Sequence, residues 1–389
     1  MKIGGWDYIN IRDIFCNFAT ATREPLSPRA VMNGTARAQI PDESKNQYAM
    51  MKKAIAILCT CMIIAGCGRK QPERKAAGER FTNDVVLKTT PVKDQGHSDL
   101  CWAYAMLATM ETEHLMQGDS VNLSADYVAR KFIEEQASRL FITRRGTVSL
   151  RGMAPMLIHL IGIYGLDHYD AFHADSTTDY HVVCRKVQEM AKGGLSLRQF
   201  DNRLSALLDR DIHTCIPRVY MLGAVYTPLE FAHSVCRDNE YQAFTSFTHH
   251  PFGQPFILEV PDNRFSDAFM NVPIDSLVSI IVRNIRHGHP VCWEGDISEP
   301  GFAFQSGVAT LDDNPGDDVQ DERQREFENH LTTDDHCMEI MGLAHDSKGQ
   351  PFFIMKNSWG TDNPYHGFMY VSVDYVKMKT ICIVAPTGL

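Results

Sequence analysis

The chain reads as a mixed α and β protein in which helical sequence comes first and strands gather toward the C-terminus. Two observations carry that reading. From Trp102 onward the run WAYAMLATMETEHLM is rich in Ala, Leu and Met, with no Gly or Pro before Gly118, and helical character continues through much of 122–286. Strand-like apolar runs then follow His336, occupy Phe352–Lys356 and return at Thr380–Ala385. The 389 residues, 44% hydrophobic and 22% charged, suit a globular protein with a sizeable core, as one large or two modest domains. A formal net charge of −10 argues against nucleic acid as a partner and against docking on anionic lipid by charge alone.

Residues 1–49 show no sustained period and several breakers, so they are expected to lie outside the folded body, as an extension from an upstream start site. Met50-Met51-Lys52-Lys53 then precedes a short apolar run, AIAILCTCMIIA, and Gly66-Cys67. This is the pattern of a signal peptide over 50–66, and the apolar run is too short to span a bilayer comfortably. Ile64-Ala65-Gly66-Cys67 resembles the lipobox of bacterial lipoproteins, which implies that Cys67 is lipidated and becomes the mature N-terminus; a plain secretory signal is the alternative. The chain is then expected in the envelope of a Gram-negative bacterium, held to a membrane by its lipid. Residues 67–82, charged and without a large apolar residue until Phe81, read as a solvated tether, and 83–389 as the functional domain.

The chemistry centres on Pro91–Met110. Asp94-Gln95-Gly96 reads as a turn, and Cys101 falls in the first turn of the helix that follows. A thiol there meets the positive end of the macrodipole, which favours the thiolate and makes the sulfur a better nucleophile. The Gln95 amide, just upstream, could donate a hydrogen bond to the oxygen of an attacked carbonyl beside the Cys101 N–H. The other end of the chain offers a base and a group to aim it. His336 opens one strand, and Asn357 ends another that turns at Ser358-Trp359-Gly360.

These segments, DQG-x4-CW, then DH opening a strand, then KNSWG, resemble the papain-like cysteine peptidases in motif and order. The resemblance implies an α+β body of two lobes: a helical lobe carrying Cys101, a β-barrel-like lobe carrying His336 and Asn357, and a cleft between them. It also implies roles: Cys101 as nucleophile, His336 as general base, Asn357 orienting the imidazole, Gln95 as oxyanion donor, and Trp359 shielding the Asn–His hydrogen bond. Neither a metal nor an organic cofactor is implied, and the partners are peptide substrates.

Between these motifs, Ser124 is a plausible cap for a helix in NLSADYVARKF. Gly152–Gly165 has helical spacing, with Arg151-Gly152 where the family has Gly-Gly. Asp175–Ala206 looks helical with a break at Gly193-Gly194, and NVPID starts an amphipathic helix with Pro273 near its first position and Asp275 in its first turn. His168, His173, His181 and His213 show no ligand spacing. His249-His250 invites a metal reading, but adjacent side chains are expected to point different ways, which favours a packed loop. Asp312 to Asp335 is strongly acidic and reads as a solvated loop leading into a helix, with a cleft-rim field attracting cationic substrates as the alternative. Cys184, Cys215, Cys236, Cys292, Cys337 and Cys382 could pair, with connectivity open, or be mostly free and buried.

The SFTHHPF run, NVPID and the strand leading to Trp293-Glu294-Gly295-Asp296 narrow the resemblance to the bleomycin hydrolase and aminopeptidase C branch. His336 lies 235 positions after Cys101, beyond the roughly 130–150 of small papain-type enzymes. An aminopeptidase is therefore implied, and a hexameric ring is the assembly the resemblance adds. Two departures matter. Asp99 stands two before the nucleophile where the family has Gly; it could raise the Cys101 pKa, meet a substrate amine or basic side chain, or, the favoured reading, face solvent. Only four residues follow the last strand, a reach of about 14 Å, so an arm closing the cleft is in question and an endopeptidase stays open. A peptide-binding lipoprotein that has lost activity through Asp99 is the reading from another class.

Overall fold

The computed structural model describes residues 81–387, apart from 222, 238, 312–315 and 317. The extension, the signal peptide, the Cys67 lipidation site and Leu389 lie outside the described residues. Strand β1 (Thr82–Val86) opens the body. Phe81 just before it already stacks on Tyr370, ring centroids 4.0 Å apart.

Helix α1 (Cys101–Gln117) begins at the cysteine and ends where Gly118 turns left-handed at φ 89°, a conformation that strains any residue with a Cβ. From Trp102 to Glu113 all but Tyr104 are buried, so α1 is a core helix wrapped on all sides. Around it lie α2 (Ala125–Thr143), α3 (Ala154–Tyr164), α4 (Tyr180–Lys192), α5 (Leu197–Asp211) and α6 (Pro228–Val235), with the hairpin β2 (Val219–Met221)–β3 (Ala224–Tyr226). Ser124 caps α2 by accepting the Tyr127 N–H at 3.0 Å, as its position predicts. The Gly193-Gly194 break separates α4 from α5, each newly capped, by Asp179 and Ser196.

The second lobe is one sheet built from β4 (Tyr241–Thr245), β5 (Pro255–Ile257), β6 (Ala268–Asn271), β7 (Val291–Gly295), β8 (Phe302–Ala303), β9 (Val308–Ala309), β10 (His336–His345), β11 (Pro351–Lys356), β12 (Phe368–Ser372) and β13 (Thr380–Pro386). Its order is β5-β6-β4-β13-β7-β10-β11-β12-β9-β8, with β1 also on β10, and the pairings run edge to edge without closing. Helices α7 (Ile274–Arg286), α8 (Val319–Glu328) and α9 (Val373–Lys379) complete it. In α7, Ile274, Leu277, Ile281 and Ile285 recur at helical spacing on the buried face, and Pro273 sits at its cap with Asp275 in the first turn.

Helix α1 packs directly on β10, and the seam between the lobes is polar. Glu111 of α1, fully buried, receives Lys93 Nζ at 2.6 Å, Thr90 Oγ1 at 2.5 Å and the Leu123 N–H at 2.6 Å. Lys356, at the end of β11, donates to Thr89 Oγ1 at 3.0 Å and Thr90 Oγ1 at 2.9 Å, and lies 3.8 Å from Glu339 of β10. Thr89 and Thr90 thus form a strap between the nucleophile's helix and the strand that delivers Asn357.

The acidic stretch before His336 is more than a solvated loop. In α8, Arg323 is 1% exposed and donates to the carbonyls of Ser246 (2.9 Å), Lys377 (2.9 Å), Met378 (3.2 Å) and Thr380 (2.7 Å). Its burial pulls the guanidinium pKa down to about 9.

Two stability outcomes follow from these buried groups. Arg323→Met leaves several buried carbonyls without donors and should cost at least about 3 kcal/mol in urea unfolding. Burial pushes the Glu339 carboxyl up to about 7. A carboxyl raised in the fold charges at a cost there, so wild-type stability should fall, relative to Glu339→Gln, as pH rises from about 4.3 toward neutrality. Urea midpoints across that range check it; parallel curves would show that the carboxyl is not held neutral.

Candidate active site

The turn before α1 is tied both to itself and to the opposite lobe. Asp94 Oδ1 accepts the Gly96 N–H at 2.8 Å, closing the turn the sequence predicts. The Gln95 N–H donates to the Ser358 carbonyl at 2.8 Å, and Asp94 bridges to Trp359. The Gln95 side chain is held at both atoms: its Nε2 donates to the Ser98 carbonyl at 2.7 Å, and its Oε1 accepts from Ser358 Oγ at 2.6 Å. One amide N–H is left for an incoming oxygen. Ser98, three before Cys101, donates its Oγ to the Gln95 carbonyl at 2.7 Å.

Cys101 is the first residue of α1, partly buried, with no acidic side chain in that first turn to oppose a negative sulfur. Residue His336 is the first of β10 and is 3% exposed. Its Nε2 is 2.8 Å from Asn357 Oδ1, which also accepts the Ser358 N–H at 2.7 Å, so the other ring nitrogen, Nδ1, is the one left to face Cys101. The Asn357 N–H in turn donates to the Gly367 carbonyl at 3.1 Å. Gly367, at φ 91°, passes so close to Gly360 that a Cβ would lie 2.5 Å from its carbonyl oxygen. The Trp359 ring lies over the imidazole at 4.6 Å between centroids, with Phe302 and Phe304 edge-on at 6.1 and 5.3 Å. Gln95, Cys101, His336, Asn357 and Trp359 therefore lie together at one place.

The Cys101 pKa is held well below the usual thiol range. The largest cause is a hydrogen bond from the Cys337 thiol; one from His336 and its positive charge follow, against the cost of burial. Asp99 is not among these causes. It is half-exposed, its carboxylate 3.8 Å from His181 Nδ1, on the wall of a 180 Å³ cleft shared with Leu150, Tyr180, His181, Cys184 and Arg185. Its carboxylate thus keeps solvent access beside His181.

Three residues near the site were not singled out from the sequence. Ser358, inside the Asn-Ser-Trp-Gly run, orients Gln95. Cys337 puts a second thiol against the nucleophile; the His-Cys dipeptide was its only signal. Glu294 of β7, paired opposite Cys337 and Cys382, accepts the Ala154 N–H at 3.3 Å and the Cys382 thiol at 3.5 Å. Burial pushes its carboxyl well above the ordinary range, with Asp334 and Cys101 adding to that.

The histidine pair does not splay as expected. His249 Nε2 and His250 Nε2 both point at Glu259, at 3.2 and 2.7 Å, so the three could surround a cation. The hydrogen bonds speak against it for His249. Gln324 Oε1 accepts the Thr248 N–H at 2.6 Å, which turns the amide nitrogen onto Glu328 and onto His249 Nδ1 at 3.0 Å. Nδ1 is then an acceptor, and Nε2 keeps the proton that a metal would have to displace. Both rings are packed on Phe256. Cys101, Cys184, Cys215, Cys292, Cys337 and Cys382 carry free thiols.

Residues 220–385 match the model of the Peptidase C1-like family. No curated protein matches the chain. Among solved structures, PepW from Lactobacillus rhamnosis HN001 (DR20) is similar over 90% of this chain and 93% of its own, at 16% identity and a TM-score of 0.59. Xylellain from Xylella fastidiosa (13% identity, 80% and 87% covered, TM-score 0.40) and bromelain from Ananas comosus (14%, 77% and 94%, 0.38) are more distant. Residues 220–385 thus match a Peptidase C1-like family model, and the chain has the papain-like fold.

Iodoacetamide should alkylate Cys101 at a pH where an ordinary thiol is protonated, the rate falling as acid takes the sulfur through its lowered pKa. In Cys337→Ala that acid limb should move to higher pH, because the largest stabiliser of the thiolate is gone; an unmoved limb would assign the depression to groups other than the Cys337 thiol. The rate at Cys101, followed by mass spectrometry, checks both.

Proposed function

We propose that the protein hydrolyses peptide bonds as a cysteine peptidase, most simply as an aminopeptidase of the bleomycin hydrolase type. The observation that carries the reading is the sulfur of Cys101 at a helix N-terminus, facing an imidazole whose far nitrogen is locked to Asn357 under Trp359. The thiolate attacks the carbonyl carbon, and the charge moves to an oxygen met by the Cys101 N–H and the spare Gln95 N–H. His336 gives its proton to the leaving amine, and the acyl group stays on sulfur as a thioester. His336 then takes a proton from water, whose oxygen attacks the thioester, and the acid product leaves, giving its proton to solvent, as the thiolate–imidazolium pair reforms. Removing the Gln95 amide by substitution with Ala should lower kcat about 10²–10³-fold, and Ser358→Ala, which only unfastens it, should cost less.

Asp99 supports the aminopeptidase form, because a carboxylate two residues before the nucleophile, on the wall of a cleft, suits a substrate ammonium group. One observation favours an endopeptidase instead. Strand β13 starts beside Gly295 and His336's neighbour strand, but runs the other way, with Pro386 opposite Tyr241 and the Thr387 N–H on the Glu240 carbonyl. Its last described residues are held on the Tyr241 strand rather than on the strands that carry His336 and Asn357.

The full chain, with Cys101→Ala as control, should be given peptides in free-amine and N-acetylated forms and the products followed by mass spectrometry. Ladders from the free-amine forms alone are expected. Internal cuts in both forms would replace the aminopeptidase with an endopeptidase, and no Cys101-dependent cleavage would leave the peptide-binding lipoprotein. Anchoring through a lipid on Cys67 is proposed from the sequence at 50–67; intact mass of the membrane-extracted protein should show a start at Cys67 with acyl chains, lost in Cys67→Ser.

A further inference from the structure

The catalytic thiol has a second thiol for a neighbour. Strand β10 opens with His336 and Cys337, so the residue that presents the imidazole is followed at once by another sulfur. Cys337 belongs to the buried cluster against which Cys101 packs, and it lines the gap between β10 and the next turn of α1 with Tyr104 and Ala105; its thiol is also the largest influence lowering the Cys101 pKa. The two differ in access and in charge state. Cys101 is partly exposed at the cleft, whereas Cys337 is 2% exposed and its thiol is kept protonated by burial. One sulfur can meet a small oxidant, and the other can be reached only through the first.

We propose that Cys101 and Cys337 form a reversible disulfide when the nucleophile is oxidised by a hydroperoxide, with Cys337 as the resolving cysteine. In the first step the Cys101 thiolate attacks the terminal oxygen of the hydroperoxide. The S–O bond forms, the O–O bond breaks, and the departing alkoxide takes the proton held on His336, giving a sulfenic acid and an alcohol. In the second step Cys337 gives its proton to the now neutral imidazole, and its sulfur attacks the sulfenic sulfur. The S–S bond forms, the S–O bond breaks, and the hydroxide leaves as water on taking that proton back. Two thiols are oxidised by two electrons, one hydroperoxide is reduced, and one alcohol and one water leave. A thiol reductant reverses the state by exchange, through a mixed disulfide. Side-chain rotation and a small backbone adjustment bring the two sulfurs to the ~2.05 Å of a disulfide. Without Cys337 the sulfenic acid stays open to a second peroxide, which carries it to the irreversible sulfinic acid.

The proposal rests on Cys101 being the reactive thiol of the peptidase reading, and the two can fail separately. The full-length chain is treated with hydrogen peroxide, quenched with catalase, alkylated, digested and mapped by mass spectrometry, and peptide cleavage is measured before and after dithiothreitol. The expected result is a Cys101–Cys337 cross-linked peptide, a loss of two hydrogens, and cleavage activity abolished by peroxide and restored in full by the reductant. In Cys337→Ala and Cys337→Ser, Cys101 should gain two oxygens and the activity remaining before treatment should be lost for good. Sulfinic acid at Cys101 in the wild type without the cross-link, or equal recovery in the Cys337 variants, overturns the proposal. The wild-type map decides it even where a variant fails to fold. A cross-link in a protein that cleaves no peptide would keep the thiol pair and discard the peptidase.

Discussion

The geometry at the cleft depends on the polar seam that joins the two lobes. Thr90 joins Glu111 on α1 to Lys356 on β11, donating to the one and accepting from the other, while Lys356 also donates to Thr89 and Lys93 pairs with Glu111. Because these charges are buried, each partner is needed to satisfy another, and slippage between helix and sheet would leave a charge or hydroxyl stranded. Register at this seam sets where Cys101 lies relative to His336 and Asn357. A purely apolar seam would hold the lobes together as well, but would discriminate less between neighbouring positions.

A second level of order comes from the turn before α1. Gln95 is fixed by Ser358 and Ser98, and Ser358 belongs to the same turn that holds Asn357. The donor for the developing oxyanion and the residue that aims the imidazole are thus positioned by one short segment. Such coupling keeps a site accurate although its parts come from opposite ends of the chain.

Much of this was legible in the sequence because the relevant signals are local. Helix α1 follows from an unbroken run of strong helix formers, the α4–α5 break from two glycines, and the cap of α2 from Ser124. The cysteine, histidine and asparagine could be identified because each sits in a short distinctive motif. What escaped depends on contacts between distant segments. Nothing next to Arg323 tells that it will collect four carbonyls, since an acidic stretch ordinarily means solvent. The convergence of His249 and His250 on Glu259 is set by a loop closing ten residues later and by a glutamine from α8, so the alternation of adjacent side chains was a poor guide. The neighbour of Asp99, His181, comes from α4, so nothing beside Asp99 in the sequence names it.

Ser98 carries a consequence for how the protein would be handled and how it could evolve. The loop below the nucleophile is fastened by Ser98 and Gln95 through hydrogen bonds alone. Its integrity is therefore indifferent to reducing agents and to oxidants. The scaffold and the reactive sulfur respond to different variables, so a change in ambient redox state can alter what the sulfur does without loosening the frame that aims it.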